Sequence, residues 1–279
     1  MLAFVAAAGC NQIYGLEQTR LVDARPMGCP EIGTTLTFQS APTTIINDRL
    51  LNYYQFDVGR TFAIAVKSNK VYRGAIDQPL VETAISDDDL NHELGIARLA
   101  PEGDQIFVQI RNKQTDATTV ERFDAAGDGM WTAIGPVTIK LADEFDRISA
   151  PSRREGGRRL LLLTRASVGF SKVVQELVED DAGQWTTVGA PYAAFDLGVD
   201  AIFDPNLSAD GLRLVFSGFG FSGENAIYYT DRASVDERFH QASPVFSLIG
   251  NGQALSPFVD NDCDRMYFYA VPGIHYVRR

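Results

Sequence analysis

The chain has 279 residues, of which 45% are hydrophobic and 22% are charged, so it can bury a substantial core and is not disordered overall. Its formal net charge of −11 argues against nucleic acid as a partner, because binding phosphate groups requires a basic face. The same charge suits a soluble protein, or one that binds neutral sugars, cations or basic partners.

The first ten residues are small and apolar and end at Cys10. The stretch Ala7-Ala8-Gly9-Cys10 resembles the end of a bacterial lipoprotein signal peptide, although Ala7 stands where leucine is usual and no basic residue precedes it. The resemblance implies that residues 1–10 are a partial signal segment and that Cys10 carries the lipid. The protein would then lie in the bacterial cell envelope, facing the periplasm or exposed at the surface, and would meet the membrane only through this anchor. The alternative is an ordinary N-terminus with a free thiol.

Residues 11–33 have little hydrophobic periodicity and contain Pro26 and Pro30, so we expect a tether between the anchor and a folded domain. From Thr34 onward, runs of β-branched and aromatic residues alternate with Gly, Asp, Asn and Pro, and no long stretch has a helical period. Residues 34–279 are therefore predicted to form one all-β domain.

The clearest hairpin in this domain is centred on Asp210-Gly211, after which Leu212, Leu214 and Phe216 alternate on one side of a strand. Glycine takes the positive φ that such a turn needs. Similar turns recur at intervals of roughly 50 residues, which indicates a repeat architecture. The turn residues are Gly59, Gly103, Gly157, Gly211 and Asp264.

Each repeat has room for four strands, which is the content of a propeller blade. The fourth strand is predicted to carry a proline, as edge strands tolerate, at residues 75–79, 131–136, 185–191 and 239–244. The last repeat lacks this strand, but a matching segment, residues 35–42, lies at the start of the domain. We therefore predict a five-bladed β-propeller with four-stranded blades, closed by the N-terminal strand, which completes the last blade.

The best hairpin copy, from Pro205 through Ser208 and Gly211 to Phe216, resembles the WD40-like repeats of the TolB propeller family. Partial copies lie at residues 97–103 and 255–268. The resemblance implies a fold and not a chemistry. TolB itself looks like a six-bladed propeller with an extra N-terminal domain, and neither is found in this sequence, so its envelope partners are not carried over.

Two cysteines remain if Cys10 is lipidated, and an even pair in an exported protein favours a disulfide. Cys29 lies shortly before the strand predicted to close the ring, and Cys263 lies in a turn of the blade that receives it. A Cys29–Cys263 disulfide would pin the N-terminus to the last blade, and its geometry is within reach of the intervening chain.

Acidic residues gather in and near the segments that lead into the predicted blades, where propellers usually bind ligands at an axial funnel. They fit solvated loops, a cation or sugar site, or the paired carboxylates of a glycosidase, for which five-bladed propellers are a known scaffold. The funnel candidates are Asp88, Glu144, Asp146, Asp200 and Asp204. Residues 218–223 are predicted to form a flexible loop in which Phe219 and Phe221 could be exposed.

We expect a monomeric binding or scaffold module with a protein or carbohydrate ligand, and we assign no catalytic residue. The alternative is a propeller glycosidase that uses paired carboxylates at the funnel. The sequence contains no calcium-loop motif and no Cys/His cluster with zinc spacing, so no metal or cofactor is expected.

Overall fold

The computed structural model describes residues 43–46, 56–58, 62–75, 80–127, 130–140, 145–153, 157–165, 172–223, 225–246, 255–260, 265–270 and 273–278. Cys10, Cys29 and Cys263 lie outside these residues, as do the predicted signal segment and tether. The described chain forms five sheets and one short 3-10 helix, Phe195–Leu197. No helix among the described residues is long and apolar enough to span a membrane.

Each sheet is one blade with four antiparallel strands, and these strands follow chain order from the innermost to the outermost, except that β1 supplies the outermost strand of blade 5. Blade 1 contains β2 (Phe56–Val58), β3 (Phe62–Lys67), β4 (Lys70–Ala75) and β5 (Val81–Ser86). Blade 2 contains β6 (His92–Leu99), β7 (Gln105–Asn112), β8 (Thr118–Gly127) and β9 (Met130–Pro136). Blade 3 contains β11 (Phe145–Ile148), β12 (Arg159–Arg165), β13 (Lys172–Glu179) and β14 (Trp185–Ala193).

Blade 4 contains β15 (Ala201–Leu207), β16 (Arg213–Phe219), β17 (Asn225–Asp231) and β18 (Ser243–Phe246). Blade 5 contains β19 (Leu255–Val259), β20 (Arg265–Ala270) and β21 (Gly273–Arg278), and β1 (Thr43–Ile46) pairs with β21 as its outermost strand. Adjacent innermost strands contact each other all the way round, including β19 against β2. The structure is therefore a closed five-bladed β-propeller, and the prediction that an N-terminal strand completes the last blade is confirmed.

Three outer strands differ from their predicted positions. The closing strand is Thr43–Ile46, directly after the predicted segment 35–42, which lies outside the described residues. In blade 1, Ala75 still belongs to β4, and the outer strand is Val81–Ser86. In blade 4, the Phe239 side chain is buried in the core, so the segment around it is not in the ladder and the outer strand begins only at Ser243. A proline marks an edge position, but it does not fix where the strand begins.

The hydrophobic core is divided into five clusters in the described chain, and each cluster lies mainly between two neighbouring blades. Trp131 belongs to the cluster between blades 1 and 2, and Trp185 to the equivalent cluster between blades 2 and 3. Both side chains are buried, and Trp185 makes an edge-on contact with Phe107 at 6.1 Å between ring centroids. These two tryptophans therefore pack between neighbouring blades.

Blade 3 carries an additional edge strand. After β9 the chain forms β10 (Ile139–Lys140), which pairs parallel with the first residues of β14 at Trp185 and Thr186. This segment belongs to the connection from blade 2 to blade 3, and it covers part of an outer edge that would otherwise present unpaired backbone groups.

A buried ion cluster joins blades 3 and 4. The Glu176 carboxylate, on β13, accepts two hydrogen bonds from the Arg232 guanidinium at 2.8 Å each and one from Arg159 at 3.0 Å. The Glu176 residue is 3% exposed, and Arg232 also donates to the carbonyl of Gly211 at 2.7 Å. Such a cluster is stable only when its groups satisfy one another, because each buried charge has lost its hydration.

We expect Glu176→Gln to lower the free energy of unfolding by about 3–5 kcal/mol, because the buried Arg232 would lose its anionic partner and Arg159 would keep only the exposed Asp236. Chemical denaturation followed by circular dichroism measures the change. The matched control is Glu82→Gln, since Glu82 pairs with Lys70 at 2.7 Å but is nearly half exposed. The control should change stability by less than about 1 kcal/mol, and equal losses in the two variants would contradict the prediction.

Candidate functional site

The innermost strands of blades 3, 4 and 5 run in the same direction, as their cross-blade contacts show. Arg147, Asp204 and Ser256 lie at one level, and Ala150, Asn206 and Pro257 lie at the next. We call the end of the ring at which the innermost strands begin the funnel face. The described segments that lead into blades 2 and 4 lie on this face, and they contain the candidate acids Asp88 and Asp200.

Asp204 is buried between three blades. One of its carboxylate oxygens lies 3.3 Å from Arg147 Nε on β11, and the other accepts a hydrogen bond from the Ser256 hydroxyl on β19 at 3.2 Å. The residue is only 4% exposed. Asp204 and Ser256 both have positive φ, at 46° and 51°, inside strand irregularities on β15 and β19. These irregularities turn both side chains towards the neighbouring blade.

Further side chains link neighbouring blades near the axis, because they form hydrogen bonds with backbone groups of the adjacent blade. Asn206 accepts from the N–H of Ala150 at 3.0 Å and donates to the carbonyl of Pro257 at 2.7 Å. Gln109 donates to the carbonyl of Asp146 at 2.8 Å, and Arg98 donates to that of Ile148 at 3.1 Å. Blades 2 to 5 are therefore connected near the axis by polar contacts that satisfy buried backbone groups.

Asp146 lies on β11, closer to the funnel face than the Asp204 cluster. Its carboxylate pairs with the Lys172 ammonium at 3.0 Å, and both side chains are partly exposed. The same ammonium lies 5.8 Å from the centre of the Phe203 ring, which in turn meets Phe219 edge-on at 5.5 Å. This side of the funnel thus combines an ion pair with aromatic rings.

The remaining candidate acids lie apart from this pair. Asp200 is exposed at the start of blade 4, and its N–H donates to the carbonyl of Phe219 at 2.8 Å. Asp88 is exposed in the segment before blade 2. In that segment the N–H of Asn91 donates to Asp89 and lowers the pKa of its carboxyl group. Glu144 lies outside the described residues.

Two phenylalanine rings stand exposed on the funnel face of blade 4. Phe195 lies in the 3-10 helix that leads into the blade, and Phe221 lies in the turn between β16 and β17. They are 79% and 58% exposed, with ring centroids 6.2 Å apart and ring planes tilted by 60°. We call this pair the aromatic wedge.

The sequence pattern predicted part of the exposed surface on the funnel face. Phe221 is exposed as expected, whereas Phe219 is half-buried and belongs to β16, which extends further than the predicted loop allowed. Phe195 was not recognised, because a single phenylalanine before a strand carries no signal of exposure. Lys172, Arg147 and Ser256 were also missed, since their roles depend on contacts between different blades. Among the described residues, no group of three or more His, Cys, Asp or Glu is arranged to hold a metal ion.

No protein-family model and no curated protein sequence matches the chain. Solved structures do match it. An endo-arabinase from Bacteroides thetaiotaomicron VPI-5482 aligns with a TM-score of 0.57 and 15% identity, over 88% of this chain and 97% of that chain. A glycosyl hydrolase from Bacteroides ovatus aligns with a TM-score of 0.53 and 10% identity, over 88% and 94%. TolB from Acinetobacter baumannii gives a TM-score of 0.43 and 8% identity, over 78% and 51%. At these identities the likeness shows a shared propeller fold alone.

We expect Asp204→Ala to lower the free energy of unfolding by about 2–4 kcal/mol. The substitution would leave Arg147 and Ser256 without their shared acceptor, and it would place alanine at a φ that an L side chain tolerates poorly. Asp200→Ala is the control, because Asp200 is exposed, and it should alter stability by no more than about 0.5 kcal/mol. Thermal and urea denaturation measure both variants. An unchanged midpoint for Asp204→Ala would show that this carboxylate does not support the ring.

Proposed function

We propose that this protein is a non-catalytic binding propeller that takes its ligand on the funnel face. The proposal rests on the contacts made by two carboxylates that the structure describes on the innermost strands near the axis. Asp146 is paired with Lys172, and Asp204 is buried against Arg147 and Ser256. Both acids hold neighbouring side chains in place, while the exposed aromatic wedge lies on the same face.

A retaining or inverting glycosidase needs something different from its carboxyl groups. One must carry a proton for the leaving group, and the other must face the sugar or a water molecule from across the bond. The carboxylates of Asp146 and Asp204 instead contact neighbouring ammonium, guanidinium and hydroxyl groups of the protein itself. The glycosidase alternative is compatible with the fold and with the structurally similar glycosyl hydrolases, but it requires an acid other than the buried Asp204 to act beside Asp146.

Binding propellers use their rigidity to hold a surface ready for a ligand. The wedge exposes two aromatic rings that would bury apolar area on contact, and aromatic side chains of this kind often dominate the energy of an interface. The net charge of −11 disfavours a nucleic acid ligand, which leaves a protein or a carbohydrate as the ligand. The proposed setting is the bacterial cell envelope, with a lipid on Cys10 as the anchor and the propeller as a monomer.

Binding and hydrolysis can be separated directly. We expect the purified protein to release no reducing ends from arabinan, xylan or other plant and bacterial polysaccharides during prolonged incubation. Phe195→Ala and Phe221→Ala should weaken the retention of a bound ligand in affinity electrophoresis or pull-down. The Asp146→Asn variant tests the glycosidase alternative. Measurable hydrolysis that disappears in Asp146→Asn, while the fold is retained, would replace the binding proposal with the enzymatic one.

The anchor is tested in a bacterial host with a complete signal sequence placed before Cys10. We expect the protein to partition into the detergent phase after Triton X-114 extraction, and Cys10→Ser to move it to the aqueous phase. Two or three acyl chains give stable membrane attachment, where one chain is marginal. Glu82→Gln, an exposed substitution that leaves all three cysteines in place, is the control. If the protein with the complete signal sequence and an intact Cys10 stays in the aqueous phase, the lipoprotein proposal is wrong, and the binding proposal is unaffected.

A further inference from the structure

The residues beneath the aromatic wedge hold the segment that carries Phe195. Within the segment that leads into blade 4, Leu197 and Val199 are buried in the core between blades 3 and 4, which leaves Phe195 facing outwards. The N–H of Ala242 donates to the carbonyl of Leu197 at 2.9 Å and ties this segment to the rest of the blade.

Gly198 ends the 3-10 helix with a φ of 74°, and a Cβ atom built on it would lie 2.8 Å from the Gln241 side chain. This position therefore requires glycine, both for its conformation and for its space. The backbone at Phe195 is thereby held at the surface before any ligand arrives, which lowers the cost of ordering the chain on binding.

Other aromatic rings of blades 3 and 4 carry cations on their faces. The Arg232 guanidinium lies 4.4 Å from the centre of the Phe239 ring, and the Arg238 guanidinium lies 4.2 Å from that of Tyr192. Lys172 sits over Phe203, which contacts Phe219 two residues before Phe221. Among the described residues, no cation lies over Phe195 or Phe221. These two exposed rings thus offer faces of the type that bind cations elsewhere in blades 3 and 4.

The charges around the wedge complement a cation. Asp196 and Asp200 are both exposed and belong to the same short segment as Phe195. Asp196 uses one oxygen to accept from the N–H of Ala193 at 2.9 Å, and no cation in the described chain pairs with Asp200. Two carboxylates beside two exposed rings attract and retain a positive group, and the net charge of −11 steers such a group towards the protein.

We propose that the aromatic wedge binds an arginine or lysine side chain from an extended basic segment of a partner protein. The cation would lie on the exposed faces of the two rings, close to the segment that carries Asp196 and Asp200, and its aliphatic stem would cover the ring edges. A neutral glycan could stack on the same rings, but it would gain nothing from the charge of the two carboxylates. This inference rests on the proposed binding function and names its ligand class.

The test uses fluorescence anisotropy with three labelled dodecapeptides that share a Gly/Ser background and carry three arginines, three lysines or three citrullines. Citrulline preserves the shape of arginine without its charge. We expect the arginine and lysine peptides to bind and the citrulline peptide to bind at least about tenfold more weakly. The affinity should fall as salt is raised from 50 to 300 mM.

Substitutions in the wedge test whether the faces of the two rings bind the cation. Phe195→Leu and Phe221→Leu keep an apolar side chain but remove the ring, and each should weaken arginine-peptide binding roughly three- to thirtyfold. Phe195→Tyr keeps the ring face and should retain binding. Asp200→Asn should weaken binding and reduce its salt dependence. Met130→Ala is the control, because Met130 is also 58% exposed but lies on the opposite face.

Several outcomes would overturn the inference. Equal binding of the arginine and citrulline peptides, or arginine binding that survives both leucine variants, would exclude a cation site at the wedge. Oligosaccharide binding that is lost in Phe195→Leu would assign the wedge to a glycan, which leaves the binding function in place with a different ligand. Reducing-end release by the wild-type protein would overturn the binding function itself. Thermal denaturation of each variant confirms that the fold is retained.

Discussion

The structure depends on the pairing of β1 with β21, because this pairing joins the two ends of the repeat array. A blade has two faces to cover and can cover them only against its neighbours, as the position of the five hydrophobic clusters shows. In an open array the first and last blades would each leave one face in water. The closed ring removes both exposed faces, so the cluster that joins blade 5 to blade 1 through Tyr267 and Ala65 depends on the same closure.

Polar contacts then set how the blades sit against one another. Apolar packing tolerates small sliding movements, whereas the contacts of Glu176 with Arg232 and of Asn206 with two backbone groups have narrow geometric limits. They lie at different radii, since Glu176 is on the third strand of its blade and Asn206 is on the innermost. Together they fix the relative orientation of blades 3, 4 and 5. The funnel face is formed by these connected blades, and it carries the exposed pair Phe195 and Phe221 on blade 4.

The features that the sequence predicts well are those encoded locally. The Asp210-Gly211 turn needs only its own residues and the alternation that follows it, and its recurrence is enough to count the blades. Outer strands were placed less well, because they contact one neighbour and their positions depend on details such as the burial of Phe239. The role of Asp204 could not be predicted from the sequence for a different reason. Its partners Arg147 and Ser256 lie in other blades, and only the closed ring brings the three together.

The direction of β1 has a consequence for how the protein would present itself. Ile46 pairs with Ile274 near the funnel face, and Thr43 pairs with Tyr276 further towards the opposite face, on the outermost strand of blade 5. The strand β1 therefore enters blade 5 at its outer edge and runs towards the funnel face, so that its first residue lies towards the opposite end of the ring from the exposed rings of blade 4. A ligand held on those rings would not meet the point at which the closing strand begins.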